Sequence, residues 1–271
     1  MPHGSSPEDR LTTTPHPRLR LHPRFHSRFL PDDRDVMVYL PPEYAADTRK
    51  HFPVFYMHDG QNLFDPRKSF IPGRTWQVRE TADSMILMED VEPLIIVGIH
   101  NTGERRLAEY TPTRDWKMGG GEANAYGKLL TGELMPFINS EYRTLQGPDH
   151  TGMGGSSLGG LVTLYLGLKY PTTFGKLAVM SPSVWWDRKS ILGYLNEFEA
   201  PPWPRIWLDV GDSEGPKALG DVNLLYRRLI AKGWREAETL HCETVKGGTH
   251  DETAWARRMG PMLRFLFPSK P

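Results

Sequence analysis

The chain of 271 residues carries 33 basic and 33 acidic side chains, so its formal net charge is zero. Proteins that bind nucleic acid through phosphate contacts normally have an excess of Lys and Arg, and this balance argues against that class of partner. The single cysteine, Cys242, excludes an intrachain disulfide and a cysteine-rich metal site. A core of this size needs neither for stability.

The N-terminal sequence MPHGSSPEDRLTTTPHPRLR lacks the apolar segment of a signal peptide, and the chain has no run of 18 apolar residues that could cross a bilayer. These features predict a cytoplasmic protein that has no membrane partner. Residues 1–17 are rich in Pro, Ser, Thr and His and are expected to form a flexible tail. Residues 18–271 are expected to form one domain.

The first predicted element is a β-hairpin, because RLRLHPRFHSRFLPDDRDVMVYLPPEY alternates apolar and polar residues around the break PDDRD. Strands and helices then alternate: strands in FPVFYMHDGQ, EPLIIVGIHN, KLAVMSP, RIWLDVG and ETLHCETV, and helices in TWQVRETADSMILME, NAYGKLLTGELMPFINSEYR, LGGLVTLYLGLKYP, SILGYLNEF, VNLLYRRLIAKG and ETAWARRMGPMLRFLF. Continuous apolar strands that alternate with helices predict an α/β domain with a mostly parallel sheet and helices on both faces. The hairpin adds antiparallel strands.

A glycine-rich segment, TGMGGSSLGG at 151–160, contains the pattern G-x-S-x-G centred on Ser157. Centring the pattern on Ser156 would need glycine at position 158, where the chain has leucine. In this pattern the serine lies on a strained turn between a strand and a helix, and here an apolar helix is predicted immediately after it. A glycine-rich turn that only packs the helix against the sheet is the alternative interpretation.

A serine nucleophile needs a base, and in α/β-hydrolases the chain order is serine, acid, histidine. Of the two downstream histidines, His241 lies within a predicted strand. His250 precedes the last helix on a loop and is the predicted base, although a histidine that caps this helix is an alternative. Asp212 and Glu214, on the loop in WLDVGDSEG, are both candidates for the acid that orients it.

The oxyanion formed by attack on an ester needs prearranged N–H donors. One predicted donor is the backbone N–H of Leu158, which follows the nucleophile. The second is expected from the loop in YMHDGQNLF, at Gln61 or at Asn62. His58 and Asp59 in the same segment are only two neighbours and do not indicate a metal site.

Eight blocks in order resemble the "Putative esterase" family of the α/β-hydrolase superfamily, which includes enterochelin (siderophore) esterases, feruloyl esterases and mycolyltransferase-like proteins. The resemblance runs from about residue 20 to the C-terminus. The blocks are VMVYLPPEY, YMHDGQNLFD, TWQVRET, NAYGKLLTGELMPFINSEYRT, GGSSLGG, SPSVWWD, LDVGDSEG and GGTHDETAW. The resemblance implies a serine hydrolase that uses an acyl-enzyme and no metal or cofactor. The family's Gly-x-x-Glu pattern assigns the acid to Glu214.

The predicted function is hydrolysis of a small-molecule carboxylic ester by Ser157, His250 and Glu214. Acyl transfer by the same residues and a catalytically silent scaffold are the alternatives. Candidate substrate-binding residues are Trp76, Trp185 and Trp186, for which core packing is an equal alternative, and Arg105 and Arg106, which could instead be solvated loop charges.

Overall fold

A computed structural model describes residues 16–199 and 203–269. Most of the tail predicted at 1–17 lies outside the described residues. Within the part described, no helix is long and apolar enough to cross a membrane.

The strands and helices alternate along most of the chain. The strands are β1 (Leu19–Phe25), β2 (Arg34–Tyr39), β3 (Val54–His58), β4 (Ile95–Ile99), β5 (Arg114–Asp115), β6 (Gly119–Gly120), β7 (Thr151–Ser156), β8 (Lys176–Met180), β9 (Arg205–Gly211) and β10 (Leu240–Val245). The helices are α1 (Glu43–Ala46), α2 (Val78–Leu87), α3 (Arg106–Glu109), α4 (Ala123–Leu129), α5 (Met135–Glu141), α6 (Leu158–Lys169), α7 (Trp186–Lys189), α8 (Ile191–Glu197), α9 (Pro216–Lys232) and α10 (Glu252–Leu266).

Eight strands form one sheet in the order β1-β2-β4-β3-β7-β8-β9-β10. β1 pairs with β2 and β2 with β4 in antiparallel fashion, and the remaining pairs from β4 to β10 are parallel. The predicted fold class, an α/β-hydrolase fold with a mostly parallel sheet and an N-terminal antiparallel hairpin, is confirmed.

The sheet is buried on both faces, and its central strands are therefore apolar at consecutive positions rather than at alternate ones. In β3, Val54 and Tyr56 pack into one core, while Phe55 and Met57 pack into the core on the opposite face. The first core lies against α4, α6, α8 and α9, and the second lies against α2 and α10. This layering brings the carboxyl ends of β3, β7, β8, β9 and β10 to one edge of the sheet.

One predicted helix is interrupted in the structure, and some elements were not predicted from the sequence. The helix predicted through NAYGKLLTGELMPFINSEYR is divided by a π-helical stretch, Leu130–Leu134, between α4 and α5. The long segment 103–124, which shows no periodicity, contains the short helix α3 and the two-stranded hairpin β5–β6. Its turns are built on glycines with positive φ, a signal of backbone shape that periodicity does not report.

Candidate active site

Ser157 lies on a sharp turn between β7 and α6, with φ 59° and ψ −121°. Such a conformation costs a non-glycine residue about 1–3 kcal/mol and is retained where surrounding packing imposes it. The neighbouring glycines allow that packing. A Cβ on Gly155 would lie 3.1 Å from both the backbone of Gly159 and the side chain of His58, and one on Gly160 would lie 2.9 Å from the Met180 carbonyl oxygen.

Glu214 ends a 3-10 turn directly after β9, and its carboxylate contacts His250. Its Oε2 is 2.7 Å from His250 Nδ1, while Oε1 accepts hydrogen bonds from Ser181 Oγ at 2.6 Å and from the Gly211 N–H at 2.7 Å. Burial opposes ionisation of Glu214, but the bonds from His250, Ser181 and Gly211 outweigh it and lower its pKa. The arrangement holds an ionised carboxylate against the imidazole.

Asp212, the other candidate acid, bonds elsewhere. Its Oδ1 accepts from the Gly247 N–H at 2.7 Å and from Ser213 Oγ at 3.1 Å, and its side chain is exposed. Asp212 therefore ties the turn after β9 to the loop that carries His250.

Ser157 and His250 lie on the boundary of two cavities and contribute to the walls of both. Among the described residues, the only side-chain hydrogen bond of Ser157 Oγ is to Ser183 Oγ, at 3.3 Å. The His250 ring packs edge-on against Trp255, with 4.9 Å between ring centroids, and its side chain is 46% exposed. The imidazole is thus fixed at Nδ1 and on one edge, and its remaining side is open to the cavities.

The turn after β3 carries the two candidate oxyanion donors, Gln61 and Asn62, which line the same cavity as Ser157. Asp59 adopts a left-handed conformation, φ 55°, and a Cβ on Gly60 would lie 2.4 Å from the backbone carbon of Gly98. The Asn62 N–H donates to the Asp59 carbonyl oxygen at 2.9 Å, so it is already engaged within the turn. Within the part of the chain described, the N–H groups of Gln61 and Leu158 have no such acceptor.

The two cavities differ in size, and each has both polar and apolar walls. The larger, of about 550 Å³, has a polar wall that includes Asp59, Asn101 and Arg106 and an apolar rim that includes Phe70 and Trp255. The smaller, of about 260 Å³, lies on the α9 side of the serine, and its apolar wall consists of Pro182, Trp185, Val210, Ala218 and Val222.

Two of the five candidate substrate-binding residues, Trp185 and Arg106, line the cavities beside Ser157. Trp76 and Trp186 are 1% and 0% exposed and belong to the two cores, so neither forms a cavity wall; Trp185 is the tryptophan that does. Arg105 pairs with Asp32 and Glu122 outside both cavities.

The neighbouring Arg106 reaches the larger cavity, where its guanidinium binds Asp59 through two bonds of 2.6 and 2.8 Å. Adjacent residues here diverge in direction, which sequence position alone does not reveal.

A buried network that contacts the Glu214 carboxylate was not predicted from the sequence. Arg258 Nη1 lies 2.7 Å from Asp209 Oδ1 and 2.8 Å from Ser181 Oγ, and its Nη2 lies 3.3 Å from Glu214 Oε1. A signal for it exists in α10, because Arg258 falls three residues after Trp255 on the apolar stripe of that helix. A charge on such a stripe indicates a buried partner. Ser183 carries no comparable signal.

The neighbouring pair His58 and Asp59 is divided between separate partners. His58 Nδ1 is 2.9 Å from the Tyr126 hydroxyl, while Asp59 binds Arg106 and Asn101. Across the described ranges, no group of three or more His, Cys, Asp or Glu side chains is placed to hold a metal ion.

Comparison with known proteins agrees with this architecture. The family described as "Putative esterase" matches residues 27–266. The chain is 31% identical over 82% of its length to the iron(III) salmochelin esterase of Escherichia coli O6:H1, of which it spans about half, 51%. It is 27% identical over 87% of its length to the uncharacterized protein YbbA of Bacillus subtilis, covering 93% of that protein.

Among solved structures, the BES protein from Bacillus cereus has a TM-score of 0.78 at 22% identity, with 97% of this chain and 99% of that one covered. This likeness concerns the fold. The family match and the salmochelin esterase relative confirm the resemblance of the sequence blocks: the chain is an esterase that belongs to the "Putative esterase" family.

Proposed function

We propose that the chain hydrolyses a carboxylic ester through an acyl-enzyme, with Ser157 as nucleophile, His250 as base and Glu214 as the acid that orients it. The observation that carries this proposal is the 2.7 Å bond from His250 Nδ1 to Glu214 Oε2, at the sheet edge where Ser157 stands on its strained turn. Because Nδ1 is held by the carboxylate, Nε2 is the nitrogen left to exchange protons.

In the first half of the reaction, Ser157 Oγ bonds to the ester carbonyl carbon while His250 Nε2 takes the hydroxyl proton. The carbonyl electron pair moves onto oxygen, and the N–H groups of Leu158 and Gln61 stabilise this oxyanion, each for about 3–4 kcal/mol. Collapse of the intermediate breaks the bond to the alcohol, which receives the proton from His250 and leaves the acyl group on Ser157.

In the second half, water attacks the acyl carbon while His250 takes one of its protons. The tetrahedral intermediate then releases the carboxylic acid, and the proton returns to Ser157 Oγ. In the resting structure Ser157 Oγ bonds to Ser183. The reaction therefore requires the hydroxyl to exchange this bond for one to His250 Nε2, in keeping with the looser catalytic bonds of enzymes without substrate.

The substrate is proposed to be a small-molecule ester whose two halves occupy the two cavities on either side of Ser157. The iron(III) salmochelin esterase relative acts, by its name, on an ester bond of iron(III) salmochelin. The cavities of about 550 and 260 Å³ support a substrate with one larger and one smaller half.

Labelling with a fluorophosphonate tests the nucleophile. The wild-type protein should gain a mass adduct on Ser157, Ser157→Ala should gain none, and Ser156→Ala, the same change one residue earlier, should still be labelled. A folded wild-type protein that neither reacts nor turns over p-nitrophenyl esters would instead be a silent scaffold. Product analysis with added alcohols separates hydrolysis from acyl transfer.

A further inference from the structure

The larger cavity beside Ser157 is lined by hydrogen-bond acceptors that are almost all engaged. Asp59 accepts from Arg106 and Asn101, at 2.6–2.8 Å. Gln61 Oε1 accepts from the Asn101 N–H at 3.2 Å, and Asn101 Oδ1 accepts from the Gly103 N–H at 2.9 Å. These side chains hold the cavity wall together and have little capacity left for a ligand.

The cations of this cavity are also paired. Arg106 is committed to Asp59 through both of its bonds, and Lys68 Nζ lies 3.8 Å from Asp35 Oδ2. Neither leaves an unbalanced positive charge beside the serine.

Glu252 is the exception among the acceptors. It lines the same cavity two residues after His250, and it is only 4% exposed. The single side-chain bond of its carboxyl among the described residues is a long one, 3.4 Å from Asn62 Nδ2 to Oε1. Asn62 cannot turn to improve this bond, because its own Oδ1 accepts from the Phe70 N–H at 2.9 Å.

A buried carboxyl with one weak partner is costly in the folded protein. Burial raises the pKa of Glu252, and the charges of Asp251 and Asp59 raise it further, against the lowering effects of its own backbone N–H and of the more distant Arg74 charge. No Lys or Arg in the described part of the chain lies within ion-pair distance of it. A ligand that brings a hydrogen-bond donor, or a positive charge, would supply the partner that the protein does not.

We propose that Glu252 determines substrate specificity: its carboxyl accepts a hydrogen bond from a hydroxyl or ammonium group on the half of the ester that lies in the larger cavity. The inference rests on the proposed function, because that cavity is a substrate site only if Ser157 attacks there. The donor can belong to the acyl half or to the alcohol half, since both halves meet at Ser157.

Two series of matched esters test this inference. The alcohol series is propyl, 2-hydroxyethyl and 2-(dimethylammonio)ethyl butanoate. The acyl series is methyl butanoate, methyl 3-hydroxypropanoate and the methyl ester of β-alanine. The readout is the ratio of kcat/KM for each donor ester to that of the apolar ester in its series, measured by chromatography of the released acid.

In one of the two series, the wild-type protein should prefer a donor ester by at least about tenfold, as a buried hydrogen bond to a carboxyl predicts. Glu252→Leu should bring the ratios to about 1. Glu252→Gln, which keeps a carbonyl acceptor but loses the charge, should abolish a preference for ammonium and keep one for hydroxyl. Glu243→Gln, the same change on β10 outside both cavities, should keep the wild-type ratios.

The series that shows the preference identifies the half of the ester concerned. Ser157-dependent hydrolysis without a donor preference in either series, or with a preference that survives Glu252→Leu, overturns the inference and leaves the proposed function standing. Failure to hydrolyse any of the six esters by protein that forms the Ser157 adduct also overturns the inference. Absence of both hydrolysis and adduct refutes the proposed function and, because the inference about Glu252 depends on that function, refutes the inference as well.

Discussion

Arg258 and Asp209 form an ion pair in which Nη1 lies 2.7 Å from Oδ1 and neither side chain is more than 2% exposed. The same guanidinium bonds to Ser181 Oγ and reaches Glu214 Oε1. The ion pair thereby links α10 and β9 to the carboxylate that contacts His250.

Arg258→Met should lower the free energy of unfolding by about 3–5 kcal/mol, because it leaves Asp209 charged and buried without its partner. It should also lower kcat, since Glu214 loses a neighbour that holds it. Urea unfolding and ester turnover measure the two effects. Arg264→Met, which breaks the exposed pair with Asp90 on the same helix, should cost less than about 1 kcal/mol. Equal losses in the two variants would show that the buried pair has no special role.

Glu214→Gln should lower kcat by about 10³–10⁴, because an amide cannot stabilise the imidazolium that forms on His250. Asp212→Asn should cost less than about tenfold, since its Oδ1 can still accept from the Gly247 N–H. Steady-state turnover of one p-nitrophenyl ester compares the two directly. A larger loss in Asp212→Asn would reverse the assignment of the acid.

Gly60→Ala should destabilise the protein by about 1–3 kcal/mol, because the new Cβ would lie 2.4 Å from the backbone carbon of Gly98. Relief of this clash must move the turn and with it the Gln61 N–H, so kcat should fall as well. The matched change Gly220→Ala, in α9 with open space around its Cβ, should stabilise the protein by about 0.5–1 kcal/mol. Thermal unfolding distinguishes the two signs. A stable, fully active Gly60→Ala would show that the turn tolerates displacement.

His58 should make the folded protein sensitive to acid. Burial lowers the pKa of His58 to about 4, whereas the unfolded chain has a value near 6.5. The unfolded state therefore binds the proton first as pH falls, and the stabilisation present above pH 6.5 is lost progressively down to pH 4. Between pH 7 and pH 5 this loss amounts to about 2 kcal/mol.

His58→Gln, which can still bond to the Tyr126 hydroxyl, should remove that part of the pH dependence. Urea unfolding of both proteins at pH 7 and pH 5 measures it. The same change in unfolding free energy between the two pH values in both proteins would contradict a buried neutral His58.

Much of the fold could be predicted from local patterns. Apolar runs bounded by turns indicated most of the strands, and α6 followed from the continuous apolar segment after the glycine-rich turn. The turn at Ser157 and the helix after it followed from the pattern G-x-S-x-G and the apolar segment behind it, whereas β7 has no apolar run and was not among the predicted strands. The strand predictions succeeded because a strand that is buried on both faces of a parallel sheet is apolar at nearly every position.

Other features depended on contacts between distant segments. Trp76, Trp185 and Trp186 are the same residue type, yet Trp76 and Trp186 lie in the cores and Trp185 lines a cavity. By sequence, the backbone N–H groups of Gln61 and Asn62 are equivalent candidate donors. In the folded turn, the Asn62 N–H is already bonded to the Asp59 carbonyl oxygen.

Residue pattern alone predicted the fold class, the turn at Ser157 and the chain order of the residues proposed for catalysis, because periodicity and chain order are properties of the linear chain. The directions of neighbouring side chains were settled only in three dimensions. Arg105 and Arg106, one peptide apart, point to different partners, and Asp212 and Glu214 diverge across a single 3-10 turn. The physical reason is that each side chain is directed by groups that approach from other elements, whose positions exist only once the sheet and helices have assembled.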